Sequence, residues 1–120
     1  MLKQGISVLF LFLIIAEAKV NPFVGEDWTS GFIDVEGNEL YYYLFKARNE
    51  TIKEKSLTIW LQGGPGYSTT FSVFGECGPV FINNKTSEIE YNPYAWNNVT
   101  DTLFIDQPAP TNFSIAKSIQ

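Results

Sequence analysis

Histidine is missing from all 120 residues. This stretch of chain therefore cannot by itself build a Ser-His-Asp relay, in which an imidazole takes the nucleophile's proton and hands it to the leaving group. Cysteine is almost missing too: Cys77 stands alone, which excludes a disulfide framework within the chain. Positive charge is scarce, with 8 Lys and Arg against 13 Asp and Glu and a net charge of −5. Nucleic acid and anionic membranes are not attracted to such a surface, so neither is expected as a partner. After the first 20 residues no apolar run approaches the ~20 residues needed to cross a bilayer. Internal repeats and low-complexity segments are also absent.

The first 18 residues read as a signal peptide. Lys3 gives a short positive start, residues 6–15 are apolar, and Ala16-Glu17-Ala18 is a small-residue cleavage site. Ten apolar residues are too few to span a core of ~30 Å, so removal after Ala18 is expected, leaving Lys19 as the mature start and no membrane partner. Four Asn-x-Ser/Thr sequons, at Asn49, Asn84, Asn98 and Asn112, agree with secretory entry. Asn49 and Asn84 have the more polar, loop-like surroundings and are the better acceptors for a glycan. In an oxidising lumen Cys77 has two readings: a buried small apolar side chain, or a bond to a cysteine outside these residues.

Residues 19–120 read as one α/β domain. Strands are expected over 30–35 and 39–46, joined at the turn signal Glu36-Gly37-Asn38. Because Leu40, Tyr42 and Leu44 alternate with Tyr41, Tyr43 and Phe45, both faces of the second strand are apolar, as suits a covered sheet, and the tyrosines read as packing. Further strands are expected at 57–61, 80–82 and 102–105, with a short helix over 68–74 that begins at a hydroxyl cap.

The most informative stretch is residues 57–68, LTIWLQGGPGYS. Its apolar strand, expected to be buried on both faces, runs into a turn where Gly63, Gly64 and Gly66 carry no β-carbon and Pro65 stiffens the backbone. Successive N–H groups in such a turn make a concavity that favours anions. A plain surface turn has the same Gly/Pro content. The nearest imitation of a nucleophile elbow, residues 66–70, has Thr70 where a second glycine belongs, so Ser68 reads as a turn or helix-cap hydroxyl.

Four ordered blocks narrow the choice: IWLQGGPGYS at 59–68, FGECGP at 74–79, YNPYAWN at 91–97 and LFIDQP at 103–108. Together they closely resemble the amino-terminal part of the serine carboxypeptidases, over roughly residues 27–114. The resemblance implies the amino-terminal portion of an α/β-hydrolase fold: a hairpin and central strands of a mixed sheet, incomplete here. The activity it implies is removal of carboxy-terminal residues from peptides, without a cofactor or metal. The compartment it implies is the secretory pathway, ending in secretion or in a lysosome- or vacuole-like organelle. Most members carry Asn where this chain has Gln62, and the vitellogenic-like branch, which carries Gln, is the nearest in that respect.

By the same resemblance, Gly64 is the oxyanion-hole candidate, and Gln62, Gly63 and Glu76 are candidates to hold the substrate's terminal carboxylate. Trp96 matches a position more often in the core than at the substrate, and Asp106 is not the family's catalytic acid. The family's usual Cys is replaced by Tyr67, and two glycines that usually follow the Asp-Gln-Pro block are replaced by Pro110 and Asn112, so the loop there should differ. The family's Ser, Asp and His lie beyond the matched region, and the strand at 102–105 would then be left as an unpaired sheet edge. The chain is read as a fragment of an exopeptidase, inactive alone; the alternative is an inactive secreted binder of carboxylates or peptides.

Overall fold

The computed structural model describes residues 21–117; the expected signal peptide lies outside them. Strands β1 (Trp28–Val35) and β2 (Asn38–Phe45) form an antiparallel hairpin in which Val35 pairs with Asn38 and Trp28 with Phe45. Its two-residue loop puts Glu36 at φ 55° and Gly37 at φ 84°. Positive φ at both positions is the geometry whose twist matches the flanking strands.

The last strand in the chain is central in space. Naming β3 (Leu57–Leu61), β4 (Val80–Ile82), β5 (Ile89–Tyr91) and β6 (Asp101–Ile105), the main sheet runs β1-β2-β6-β3. β6 pairs antiparallel with β2 (Tyr42 with Ile105) and parallel with β3 (Leu61 with Ile105). The expectation that 102–105 forms an open edge is therefore wrong; among the described residues the edges are β1 and β3. Between β3 and β6 the chain makes helix α1 (Thr70–Gly75), the antiparallel pair β4-β5, and a 3-10 turn at Trp96–Asn98.

One face of the sheet carries the core. Tyr43, Phe45 and Phe104 from the sheet meet Phe23, Val73 of α1, Cys77 and Val80 of β4, with Trp28, Trp60 and Phe74 packed around them. Phe23 is the hub, with ring centroids 4.7 Å from Trp28 and 5.0 Å from Phe45; burying a ring of this size contributes ~2–3 kcal/mol. On the other face Leu57, Ile59 and Leu61 are each more than half exposed, at 56, 53 and 58%. This corrects the expectation of a strand buried on both sides: among the described residues only the Thr58 and Trp60 side is covered. Trp96, expected in the core, is 40% exposed and packs edge-on against Trp60 at 5.0 Å.

Candidate functional site

β3 delivers the chain straight into the glycine turn. Gly64 has φ +121° and Gly66 φ +92°, a region where L side chains are strained. A β-carbon on Gly64 would also lie 3.2 Å from the Tyr67 nitrogen and 3.3 Å from the Gly66 nitrogen, so two backbone N–H groups crowd the same small space. Tyr67 N–H closes the turn onto the Gly63 carbonyl at 3.2 Å. From the loop after β6, Gln107 Nε2 donates to the Gln62 carbonyl at 2.9 Å, which ties the turn to the centre of the sheet.

At the foot of this turn three of the four expected site residues meet. Gln62 Nε2 donates to Glu76 Oε2 at 3.4 Å, and Ser72 Oγ of α1 donates to the same oxygen at 2.5 Å. Gly63 N–H donates to Gln62 Oε1 at 3.3 Å. Glu76 reaches the turn because α1 ends one residue before it, with its N–H bonded to the Ser72 carbonyl at 3.2 Å. A carboxylate, an amide and backbone N–H groups at one exposed spot form a donor-acceptor set able to receive a carboxylate ligand, provided Glu76 or the ligand carries a proton. Gly64 stands in the same turn, one residue further on.

Beneath the turn lies a network that sequence reasoning did not find. Asp106, at the end of β6, is fully buried. Its Oδ1 accepts Thr69 N–H at 2.7 Å, Thr69 Oγ1 at 2.8 Å and Ser68 Oγ at 3.3 Å, and its Oδ2 accepts Asn112 Nδ2 at 2.7 Å. Ser68 Oγ in turn accepts Thr70 N–H at 3.1 Å, a hydroxyl turn just before α1, whose N-cap position is held by Thr69. Asn112 sits at φ +50°, so an asparagine occupies a left-handed position and supplies an amide there. The available signal was three consecutive hydroxyl residues, 68–70, which need acceptors, and an acid placed at a strand end.

Arg48 was also missed. It donates to Glu26, to the carbonyls of Asn92 and Pro79, and to Asn98 Oδ1, and its guanidinium lies 4.1 Å from the centroid of Tyr91. This ties β5 and the residues flanking it to the sheet. Cys77 is buried in the core; burial first, and then the charge of Glu76, push its thiol up to about 11. Among the described residues no helix is long and apolar enough to cross a membrane.

The sheet has a counterpart among solved structures. The prohormone-processing carboxypeptidase Kex1Δp of Saccharomyces cerevisiae superposes with a TM-score of 0.62 at 30% identity, covering 73% of this chain and 20% of that one. The mixed sheet is thus the partial framework of an α/β-hydrolase-type fold. The family model for serine carboxypeptidases matches residues 20–120. Carboxypeptidase Y of Schizosaccharomyces pombe is 41% identical over 86 residues, which is 71% of this chain and 8% of that protein. Carboxypeptidase Y homolog A of Pyricularia oryzae is 44% identical over 87 residues, 71% of this chain and 15% of the relative. Serine carboxypeptidase-like 50 of Arabidopsis thaliana is 38% identical over 96 residues, 76% and 22%. The chain belongs to the serine carboxypeptidase family. It spans less than a quarter of the length of these relatives.

Proposed function

We propose that this chain supplies the substrate-carboxylate end of a serine-type carboxypeptidase, with the nucleophile, acid and base of the relay contributed from outside these 120 residues. The observation that carries this reading is the meeting of Gln62, Gly63 and Glu76 at the glycine turn, with Gln62 Nε2 3.4 Å from Glu76 Oε2. In use, the Gln62 amide turns from Glu76 and Gly63 N–H leaves Gln62 Oε1, and both donate to the carboxylate of a peptide's carboxy terminus. Glu76 joins them when one proton is shared between the two carboxyl groups, which favours acidic conditions. Gly64 N–H faces the oxyanion that forms as the scissile carbonyl is attacked; one such donor is worth ~3 kcal/mol. The reading is supported by the leader at 1–18 and the sequons for a secretory route, ending outside the cell or in a vacuole- or lysosome-like compartment. It places residues 19–120 within one such catalytic domain.

A second reading has one observation in its favour, the absence of histidine: a product limited to these residues would bind carboxylates without turnover. The natural product, sized after deglycosylation with an antibody to residues 19–56, is assayed on an amino-blocked dipeptide and on its carboxy-terminal amide. Hydrolysis of the free acid below neutral pH, with the amide resistant and KM raised about tenfold or more by Gln62→Ala, is the expected result. Binding of the free acid without hydrolysis supports the second reading, and neither binding nor hydrolysis overturns both.

A further inference from the structure

The four sequons differ in what each asparagine amide does in the folded chain. At Asn49 the side-chain oxygen accepts Thr51 N–H at 3.0 Å and Thr51 Oγ1 at 2.7 Å. This turn holds the sequon's two side chains together and uses only the oxygen of the amide. Asn84 is exposed between β4 and β5. The bonding of that turn falls to its neighbour Asn83, whose Oδ1 accepts Lys85 N–H at 2.8 Å and whose carbonyl accepts Ser87 N–H at 2.7 Å.

The other two amides are structural. Asn112 Nδ2 gives both of its hydrogens to the fold, one to the buried Asp106 at 2.7 Å and one to Thr70 Oγ1 at 3.1 Å. Its sequon hydroxyl, Ser114, is 4% exposed and donates to the Asp106 carbonyl at 2.7 Å. Asn98 Nδ2 donates to the Pro93 carbonyl at 2.7 Å while Oδ1 holds Arg48 at 2.8 Å, and its sequon partner Thr100 is 8% exposed.

We propose that Asn49 and Asn84 are the N-glycosylation sites of this protein, and that Asn98 and Asn112 remain bare in the folded product. The donor is an oligosaccharide on a polyprenyl diphosphate. The amide nitrogen attacks its anomeric carbon, a C–N bond forms as the C–O bond to the diphosphate breaks, the nitrogen gives up one proton, and the polyprenyl diphosphate leaves. No electron is gained or lost by either partner. Transfer precedes folding, so the fold acts afterwards as a filter. A sugar carbon ~1.45 Å from nitrogen cannot enter the 2.7 Å gap between Asn112 and Asp106. A chain modified there keeps a single amide hydrogen and has to give up either the Asp106 or the Thr70 contact. At Asn98 a sugar competes with the Pro93 contact, and rotating the amide away releases Arg48. Asn49 and Asn84 carry a glycan without losing a bond.

The inference shares with the proposed function only its secretory route, and peptidase assays do not bear on it. The test is glycopeptide mass spectrometry of the folded, secreted natural product, expressed from its complete reading frame in a eukaryotic host. An endoglycosidase that leaves one sugar on each used asparagine marks the sites. The expected result is a sugar on Asn49 and on Asn84 and none on Asn98 or Asn112. A marked Asn98 or Asn112, or an unmarked Asn49 or Asn84, overturns the proposal. The double variant Asn49→Gln/Asn84→Gln should migrate identically before and after deglycosylation, and a remaining shift also overturns it.

Discussion

Both hydrogens that Thr69 can offer, from its N–H and its hydroxyl, go to a single oxygen of Asp106, at 2.7 and 2.8 Å. This pair fixes the start of α1 to the end of the central strand, and the glycine turn is held between them. Asp106→Ala leaves Thr69 with two buried donors unpaired, at a cost of about 3 kcal/mol. Thr69→Ala keeps the N–H contact and loses the hydroxyl with a buried methyl, and should cost about 1–2 kcal/mol. Urea unfolding of the natural product measures both, and equal losses would contradict the arrangement.

Gly78 has no room for a side chain. A β-carbon there would stand 2.2 Å from the Val73 carbonyl oxygen and 2.4 Å from its α-carbon, and rigid backbone cannot yield as a flexible side chain does. Gly78→Ala should destabilise by about 3 kcal/mol or more. Gly75, three residues earlier, meets nothing within 4 Å, so Gly75→Ala should stay within about 1 kcal/mol of the parent. Thermal unfolding of the two variants side by side separates local crowding from a general intolerance of the loop.

The Arg48–Glu26 pair is enclosed, with side-chain exposures of 17 and 4%. Arg48→Met strands the Glu26 carboxylate and should cost about 3–5 kcal/mol. Arg48→Lys should recover little of this, because an ammonium cannot reach Glu26, two carbonyls and Asn98 from one planar fork. Adding Glu26→Gln to Arg48→Met should restore part of the loss by removing the stranded charge. Denaturant titration of the three variants decides it.

Cys77 gives a pH signature. Its thiol is raised from an ordinary 9.0 to about 11 in the fold, by burial first and by the Glu76 charge second. A folded-state value above the unfolded one contributes stability that is complete below pH 9 and is lost as the pH climbs toward 11. Stability should therefore fall through that alkaline window, and Cys77→Ala should flatten the fall. Iodoacetamide at pH 8 should label native Cys77 far more slowly than the urea-unfolded chain. Equal rates would show that the thiol is not enclosed.

Much of the framework could be read from residues alone. The hairpin followed from Glu36-Gly37 between apolar alternations, and the strand at β3 followed from its composition, because local turn chemistry and pattern are written nearby in the chain. Its burial did not follow: Leu57, Ile59 and Leu61 look like core on any apolar scale, but what covers a face depends on elements distant in sequence. For the same reason nothing in residues 101–105 shows that β6 is central rather than an edge. Resemblance brought Gln62, Gly63 and Glu76 to attention, and the contact of Gln62 with Glu76 came only from the turn of α1. Asp106 gives no local sign of its role as an acceptor, because the hydroxyl residues it holds lie 37 and 38 residues away and Asn112, six residues on, reaches it only through a left-handed backbone position. Arg48 gave no sign at all, since one arginine in a polar stretch looks like any solvated charge.

The order of the sheet has a consequence for synthesis. β6 is the last of the six described strands to leave the ribosome, yet it joins the hairpin to β3. Until residue 105 has emerged, β2 and β3 have no common neighbour, and the sides of both strands that β6 will pair with stay open. The distant pairing of 57–61 with 101–105 makes closure slow relative to the hairpin. The nascent chain thus passes through a period in which β3 stands apart from the hairpin, and the five residues of β6 close that gap.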